Sequence, residues 1–341
     1  MFKLGMNTSD ISQSFVNMNG DYASVEPGGV FDFTRVKAMP DYFDRIPNFI
    51  EEMKKQERKS FYIQRTYALG DLLEGVPVVR WFRAQGWDAV MRISGFTSPI
   101  MELLEVPYIT TSQRKVSIPG LIMDWVLERD HTDKELGKFH RTHIYFRAAG
   151  VNPPPRDLDW GLNLDRLPPL PFDVPKKFVV MTGQGANFRK QLPKTTIEMI
   201  INRLNKEGRS VFYNGGPDDL SVDPKMTTQM GLSLGVPQLF SLLDRAECLV
   251  TVDTGLLWMG HFTKTPTVAI LGPSHPDQRL ILHPLYPEGA VGIKMNEWIH
   301  CESCTENGAR CNNTMKCLRL NGERLADTVA HEVAKFYQEQ S

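Results

Sequence analysis

A short polar turn, Asp253-Thr-Gly255, offers the clearest chemistry in this sequence. It follows an apolar run at 247–252, and the residues after it are apolar with helical spacing. A second apolar run at 267–271 stops at Gly272-Pro273. Strand, small-residue turn, helix and strand make a βαβ unit, and free N–H groups at the start of such a helix favour an anion. The turn is therefore predicted to hold the diphosphate of a nucleotide or another phosphorylated ligand.

Two glycine-containing loops precede this turn and end strands of their own. The loop Gly183 to Lys190 lies between a predicted strand at 178–181 and a predicted helix at 195–207. A strand at 210–213 ends in Asn214-Gly-Gly-Pro217, and a helix at 237–245 leads into the turn. Glycine allows close approach of the backbone, so Gly183, Gly185 and Gly215 are candidate ligand-binding positions.

The first half of the chain repeats the same alternation. The predicted elements are a helix at 40–58, a strand at 60–65, a turn at 67–71, a helix at 72–84 interrupted or kinked at Pro77, strands at 87–93 and 122–127, and a helix at 133–149 that ends at Gly150. Alternating strands and helices indicate parallel sheets that are covered on both faces.

Prolines concentrate at 152–175, which predicts a semi-rigid connection between two halves. A chain of 341 residues is also long enough for two domains. We expect an α/β protein of two Rossmann-like domains with parallel sheets facing a cleft, the architecture called GT-B. The predicted parts are an N-terminal extension at 1–58, an acceptor domain at 59–165, a nucleotide-sugar domain at 166–325 and a C-terminal helix at 326–341, which is free in this prediction to pack back on the first domain.

Composition excludes several other classes of protein. Lys and Arg number 39 against 40 Asp and Glu, which argues against a broad nucleic-acid footprint. The sequence has 41% hydrophobic residues, and no apolar run reaches the length of a membrane span. The N-terminus lacks the apolar core of a signal peptide, so we expect a cytoplasmic protein; peripheral membrane contact stays open.

Four segments in the same order resemble glycosyltransferase family 9, the ADP-heptose:lipopolysaccharide heptosyltransferases. They are Tyr67-Ala-Leu-Gly-Asp-Leu-Leu73, Gly183-Gln-Gly-Ala-Asn-Phe-Arg-Lys-Gln-Leu-Pro193, Tyr213-Asn-Gly-Gly-Pro-Asp-Asp219, and Val252-Asp-Thr-Gly-Leu256 with Leu271-Gly-Pro-Ser-His-Pro276. The resemblance covers roughly 60–325 and implies an inverting transfer of a sugar from a nucleoside-diphosphate donor, ADP-heptose-like, to a hydroxyl acceptor such as a lipopolysaccharide-type glycan.

The resemblance also implies roles for individual residues. Asp71 occupies the position of the catalytic base, although the same residue would serve as a cap of the following helix. Lys190 matches the lysine that pairs with the donor diphosphate, and Arg189 could share that work. The remaining donor-side candidates are Asp253, Thr254, Gly255, Leu256 and His275, and the acceptor-side candidates are Gly70 and Arg92. We expect the backbone of Thr254, Gly255 and Leu256 to hold phosphate, and Asp253 to bind sugar hydroxyls or cap the same helix.

The sequence departs from the family pattern in three places. Trp258 stands where members often carry a histidine, the region 93–150 is short, and the first 58 residues have no counterpart. The acceptor therefore stays open, and a modified nucleic-acid base or a protein is the alternative. Nucleic acid would be favoured if the basic residues of the first half share one face; these are Arg65, Arg80, Arg83, Arg92, Arg114 and Lys115. A non-catalytic nucleotide-sugar-binding protein is a further alternative.

Four cysteines fall close together near the C-terminus. Cys301, Cys304, Cys311 and Cys317 have the spacing C-x2-C-x6-C-x5-C, which suits a structural zinc site as well as reduced thiols; disulfides are disfavoured in the cytosol. No cofactor is expected for catalysis, because no Asp-x-Asp pair follows a predicted strand to bind a diphosphate–Mg²⁺ complex.

Histidines are expected to be structural for the most part. This expectation applies to His261 and His283, whereas His275 follows a strand end where α/β ligands bind. His140 and His143 are expected at the surface or between domains.

Overall fold

A computed structural model provides the fold. It describes residues 4–7, 13–16, 22–25, 30–32, 43–45, 48–66, 68–113, 118–124, 139–185, 190–215, 227–229, 234–272, 274–295, 297–299, 316–319 and 321–338. These residues fall into two compact units, which divide between Trp160 and Gly161. The division lies inside the proline-rich stretch at 152–175.

The first unit is built on a seven-stranded sheet. Its strands are β1 (Leu4–Asn7), β4 (Val30–Asp32), β5 (Phe43–Arg45), β6 (Ser60–Gln64), β7 (Asp88–Ile93), β8 (Tyr108–Thr110) and β9 (Gly120–Ile122), in the order β5-β1-β4-β9-β6-β7-β8. The four strands β9, β6, β7 and β8 are parallel, whereas β1 is antiparallel to both β4 and β5. Strands β2 (Gln13–Val16) and β3 (Tyr22–Val25) form a separate antiparallel pair.

Four helices accompany this sheet. They are α1 (Phe49–Lys55), α2 (Leu69–Ala84), α3 (Ser98–Leu103) and α4 (Arg141–Ala149). Helix α2 begins three residues earlier than predicted and continues through Pro77. Helix α1 is much shorter than the predicted helix at 40–58, and α4 begins at Arg141. Gly150 ends α4 as predicted, with a left-handed φ of 92°.

Several described elements of the first 58 residues belong to the first unit. Strands β1, β4 and β5 belong to its sheet. Phe49 of α1 packs edge-to-face on Phe61 of β6, with ring centroids 5.2 Å apart, and Phe61 packs in the same way on Phe82 of α2. Weak periodicity hid β1 and β5, which have only four and three residues.

The second unit has a six-stranded, fully parallel sheet. Its strands are β10 (Phe178–Thr182), β11 (Ser210–Tyr213), β12 (Thr227–Gln229), β13 (Cys248–Val252), β14 (Thr267–Leu271) and β15 (Ala290–Lys294), in the order β12-β11-β10-β13-β14-β15. Every residue of β10, β13 and β14 is buried, as expected for strands covered on both faces. This is the strand order of a Rossmann fold, so the sequence prediction of an α/β protein with parallel sheets is confirmed.

Six helices belong to the second unit: α5 (Lys194–Lys206), α6 (Val236–Arg245), α7 (Gly255–Thr263), α8 (Pro276–Arg279), α9 (Lys316–Arg319) and α10 (Gly322–Gln338). The last helix packs on α5, and its side chains Leu325, Val329 and Val333 join the core of this unit. Its apolar face is thus covered by the core of the second unit. None of the helices in the described ranges is long and apolar enough to cross a membrane.

Candidate functional site

The loop after β10 and the turn after β13 lie at the point where the second sheet reverses its strand order. Strands β10 and β13 are neighbours, but the chain proceeds from β10 outward to β11 and β12 before it returns to β13. Ligands of open α/β sheets bind outside the carboxyl ends of such strands. Residues 183–185, 190 and 253–256 therefore occupy the position where a ligand of this unit is expected.

The turn after β13 forms a capped helix start. Thr254 is the N-cap of α7, and its hydroxyl accepts a hydrogen bond from the Leu256 N–H at 3.2 Å. The Leu257 N–H donates to the Thr254 carbonyl, also at 3.2 Å. Of the four N–H groups that an α-helix leaves open at its start, those of Thr254 and Gly255 remain for an anion. Leu256, predicted to contribute its N–H, uses it in the cap.

A charged cluster surrounds Asp253, the residue before this cap. We call Lys190, Asp253, Ser274 and Arg279 the unit-2 cluster. The Lys190 ammonium lies 2.8 Å from Asp253 Oδ2, and the Arg279 guanidinium Nε lies 3.0 Å from the same oxygen. The Ser274 hydroxyl donates to Oδ2 as well, and Arg279 donates to Ser274 Oγ at 3.3 Å. Asp253 thus holds two cations, and the predicted role as a cap of α7 belongs to Thr254 instead.

The unit-2 cluster carries a net positive charge. Burial alone would raise the pKa of the Asp253 carboxyl, but the charges of Arg279 and Lys190 and the hydrogen bonds from Lys190 and Ser274 hold that pKa well below its ordinary value. One carboxylate and two cations leave one positive charge beside the positive end of α7. Arg279 is fully buried, whereas the Lys190 side chain is 18% exposed. Lys190 is therefore the cation that can reach a ligand.

Sequence reasoning missed Arg279 and Ser274. Arg279 lies 26 positions after Asp253, at the end of the short helix α8 that follows β14. Both residues follow β14, which is the parallel neighbour of β13, so the two strands have their carboxyl ends at the same sheet edge. This position after β14 is the signal that could have identified them.

The three candidate glycines have different roles. A Cβ at Gly183 would lie 2.6 Å from Ile197 Cγ1, so this glycine makes room for α5 and not for a ligand. A Cβ at Gly185 would lie 2.8 Å from the Lys190 Cβ and 3.5 Å from the Asp253 carbonyl, so Gly185 packs beside the unit-2 cluster. A Cβ at Gly215 would overlap the Tyr213 ring. Of the three, Gly185 is the one placed at the unit-2 cluster.

The other donor-side candidates divide in a similar way. His275 caps the short helix α8, where its Nδ1 accepts a hydrogen bond from the Asp277 N–H at 3.2 Å. Its pKa is lowered by burial and by the charge of Lys294. His275 therefore has a local capping role in this structure, and its contact with a ligand stays a prediction. Arg189 lies outside the described residues.

The first unit has a charged cluster at the corresponding place in its own sheet. Strands β6 and β9 are parallel neighbours that are separated in sequence by β7 and β8, so the strand order reverses between them. The residues that follow these strands, together with their partners, form what we call the unit-1 cluster: Arg65, Asp71, Glu74, Arg92, Asp124 and Arg141. All six side chains are buried.

Asp71 lies in the first turn of α2 and is held by two arginines. Arg65 contacts Asp71 Oδ2, and Arg141 NH1 lies 3.1 Å from Asp71 Oδ1. The N-cap of α2 is Ala68, with no side-chain cap, so the interpretation of Asp71 as the cap is wrong. Tyr145 of α4 donates to the Asp71 carbonyl at 2.6 Å. The carboxylate is fixed in position, with one guanidinium at each oxygen.

Asp124 and Arg92 complete the unit-1 cluster. Asp124 Oδ1 lies 3.7 Å from Arg65 NH1, and Gln64 Nε2 donates to Asp124 Oδ2 at 2.9 Å. Gln64 Oε1 in turn accepts from Arg92 at 3.3 Å. Arg92, an acceptor-side candidate, is thus buried in the cluster, while Gly70 lies partly buried beside Asp71. Asp124 was missed because its strand, β9, has only three residues and begins two positions before the prediction.

The basic residues of the first half do not form one exposed face where the structure describes them. Arg65 and Arg92 are buried, Arg83 pairs with Asp88 at 3.0 Å, and Arg80 donates to the Leu104 carbonyl at 2.5 Å. Arg114 and Lys115 lie outside the described residues. The condition that would favour nucleic acid is therefore not met by the four that are described.

Three of the remaining histidines are buried structural residues. His261 of α7 packs edge-to-face on His283, with ring centroids 4.4 Å apart, and also contacts Trp258. Burial lowers the pKa of His261 to about 4 and holds the pKa of His283 well below its ordinary value. His140 is buried as the N-cap of α4, in contrast to the predicted surface position, and His143 is partly buried beside it.

Of the four clustered cysteines, only Cys317 lies in the described part of the chain. It is buried in α9 and joins the core of the second unit. Cys301, Cys304 and Cys311 lie outside the described residues. Within the described residues no group of His, Cys, Asp and Glu is arranged to hold a metal ion. Cys248 is buried in β13 as predicted, and burial raises the pKa of its thiol.

Comparison with known proteins places the fold. No protein-family model matches the sequence, and no curated protein matches it. Solved structures do match. The iron-containing dodecameric glycosyltransferase TibC of enterotoxigenic E. coli H10407 is 15% identical, with a TM-score of 0.61 over 100% of this chain and 92% of TibC.

Two further matches are E. coli proteins. Heptosyltransferase WaaC with ADP is 12% identical, with a TM-score of 0.52 over 81% of this chain and 98% of WaaC. ADP-heptose lps heptosyltransferase II is 13% identical, with a TM-score of 0.51 over 83% of this chain and 100% of that protein. The chain therefore has the GT-B fold seen in family 9 heptosyltransferases.

Proposed function

We propose that this protein is a glycosyltransferase that moves a sugar from a nucleoside-diphosphate donor to an acceptor hydroxyl. The observation that carries this proposal is the unit-2 cluster, which places a net positive charge beside the open start of α7 at the strand-order reversal of a Rossmann-type sheet. Anionic diphosphates bind at such helix starts.

The donor diphosphate is assigned to the turn after β13. The N–H groups of Thr254 and Gly255 would donate to phosphate oxygens, and Lys190 would supply the neighbouring charge. Asp253 keeps the Lys190 ammonium in place and does not itself favour an anion. In the transition state the diphosphate gains negative charge as it leaves, so groups fixed in advance around it stabilise that state more than the ground state.

The general base is assigned to Asp71. A base is needed to take the proton of the attacking hydroxyl, and a positioned carboxylate can do this. In this structure Arg65 and Arg141 contact the two carboxylate oxygens, which keeps the group in one orientation. Proton acceptance then requires that one contact opens. The Arg141 contact is the longer of the two and is the one expected to open first.

An ADP-heptose-like donor and a glycan acceptor are the substrates we propose. TibC is also described in complex with ADP-D-beta-D-heptose, and WaaC with ADP. The buried state of Arg65 and Arg92 makes a nucleic-acid acceptor the weaker alternative. The transfer step is proposed to proceed by inversion and without a catalytic metal ion, in a cytoplasmic enzyme.

A metal ion is proposed for the cysteine cluster as a structural element. Four thiolates suit zinc, and they also suit iron, the metal named for TibC. Cys317 would supply one ligand, and its burial in the core of the second unit would tie the metal to that unit. Metal analysis of the purified protein distinguishes zinc, iron and reduced thiols.

The test is a transfer assay with the native protein. We expect release of a nucleoside diphosphate from its sugar conjugate, accelerated by a glycan acceptor, with the glycosylated product detected by mass spectrometry. Binding of the donor without any release would support the non-catalytic alternative.

A further inference from the structure

Arg65 lies between two buried carboxylates that follow neighbouring strands. It is the first residue after β6, and its guanidinium contacts Asp71 through NH2 and Asp124 through NH1. The Arg65 side chain is 1% exposed and that of Asp124 is 2% exposed, so water does little to screen either charge. The charge of Arg65 is therefore shared between Asp71 and Asp124.

Asp124 is itself fixed by several hydrogen bonds. The Thr66 N–H and hydroxyl donate to Oδ1 at 3.0 and 3.1 Å, and Gln64 donates to Oδ2. Both oxygens accept hydrogen bonds, which is the pattern of an ionised carboxylate. Burial raises the pKa of Asp124, while the charge of Arg65 and these hydrogen bonds oppose that effect. One backbone and two side-chain hydrogen bonds thus hold a carboxylate whose charged partner is Arg65.

We infer that Asp124 is a positioning residue for sugar transfer, which orients the candidate base Asp71 through the shared guanidinium of Arg65. This inference rests on the proposed function. Asp124 touches neither the proposed donor site nor a reacting atom; it acts by determining where Arg65 lies and how strongly Arg65 holds Asp71.

The direction of the effect follows from the charges. If Asp124 loses its charge, Arg65 has one carboxylate to neutralise instead of two and holds Asp71 more strongly. Asp71 then becomes a weaker base. Charged or titratable groups that also face Asp71 include Glu74 on its own helix and Arg141 and Tyr145 on α4. Replacement of Asp124 leaves the chemistry of these three side chains unchanged.

The experiment measures kcat against pH for native enzyme and Asp124→Asn. In Asp124→Asn we expect kcat to fall by about 10- to 100-fold, with an unchanged KM for the donor. We also expect the acidic limb of the kcat–pH profile to move to lower pH by about one pH unit. Asp88→Asn, at an exposed carboxylate on β7, is the charge control and should leave kcat unchanged. Met101→Ala, in the buried face of α3, is the stability control and should leave the acidic limb in place.

Each outcome decides the inference. The inference is overturned if Asp124→Asn folds and has the native kcat and the native acidic limb of the kcat–pH profile. It is also overturned if kcat in Asp124→Asn falls only as far as it does in Met101→Ala. If Asp124→Asn does not fold, Arg65→Lys is used, because one ammonium cannot serve two carboxylates as a guanidinium does. That variant should lower kcat to a similar extent without changing the donor KM, and an unchanged kcat would overturn the inference. If the native protein transfers no sugar, the proposed function fails and this inference fails with it.

Discussion

The Lys190 ammonium lies 2.8 Å from Asp253 Oδ2, and this ion pair joins the loop after β10 to the turn after β13. The two strands are neighbours in the sheet but are far apart in sequence, with 66 positions from the end of β10 at 182 to the start of β13 at 248. Asp253 would repel a phosphate by itself. Because Asp253 pairs with both Lys190 and Arg279, the group of three side chains carries a net positive charge.

Replacement of the candidate base should separate chemistry from binding. We expect Asp71→Asn to lower kcat by about 10² to 10⁴, because an amide cannot accept the proton, while donor affinity stays native. The variant also leaves Arg65 and Arg141 with less charge compensation, so the rate is measured per folded protein, with Asp88→Asn as control. A native kcat in Asp71→Asn would remove this residue from the mechanism.

We expect Arg279 to contribute strongly to the stability of the fold, although it lies outside the motifs recognised in the sequence. Arg279→Met leaves the buried Asp253 with a single cation, and loss of one member of a buried ion pair costs about 3–5 kcal/mol of unfolding free energy. Denaturation by urea measures this loss. Arg203→Met removes an exposed ion pair with Asp327 and should cost less than about 1 kcal/mol. Equal losses in the two variants would contradict the assignment.

Gly183 is predicted to be a packing residue. In Gly183→Ala the new methyl group would meet Ile197, which should lower the free energy of unfolding by about 1–3 kcal/mol. Ile197→Val in the same chain should recover part of that loss. Gly95→Ala adds a methyl group in open space and serves as control. If Gly183→Ala lost donor binding but kept the native stability, Gly183 would instead be a ligand-binding residue.

The buried histidine pair predicts a loss of stability in mild acid. The pKa of His261 falls from 6.5 to about 4 on folding, because burial disfavours the charged ring. A depressed folded-state pKa gives a stabilising contribution that is present above pH 6.5 and is lost as the pH falls toward 4. The melting temperature should therefore drop over that range. The drop should be shallower in His261→Gln, and identical slopes would contradict this account.

The sequence was most informative where chemistry and secondary structure coincide. The βαβ unit around Asp253 could be predicted, because a largely apolar run of five residues, a small polar turn and a helical pattern each have a local cause. The same is true of β10, β11 and β14, whose bounds differ from the predictions by at most one residue. These local sequence patterns do not depend on tertiary contacts with the rest of the chain.

The ion pairs could not be predicted, because each depends on distant residues. Nothing near Asp71 indicates that Arg141, 70 positions later, will contact it. Arg65 was grouped with basic residues that would favour nucleic acid if they shared one face, although its charge is balanced inside the first unit. The short strands β1 and β5 were missed for a related reason: three or four residues give too little periodicity, and pairing with the sheet determines their structure.

Calorimetric titration with ADP, UDP, GDP and CDP tests the central claim most directly. The account predicts that at least one nucleoside diphosphate binds with one site per chain. It also predicts that Lys190→Ala weakens this binding by about 10- to 100-fold, since a charged hydrogen bond is lost. Lys194→Ala, an exposed lysine at the start of α5, should bind as the native protein does. Failure of all four nucleotides to bind, or equal affinity in native protein and Lys190→Ala, would contradict the claim that this turn is a diphosphate site.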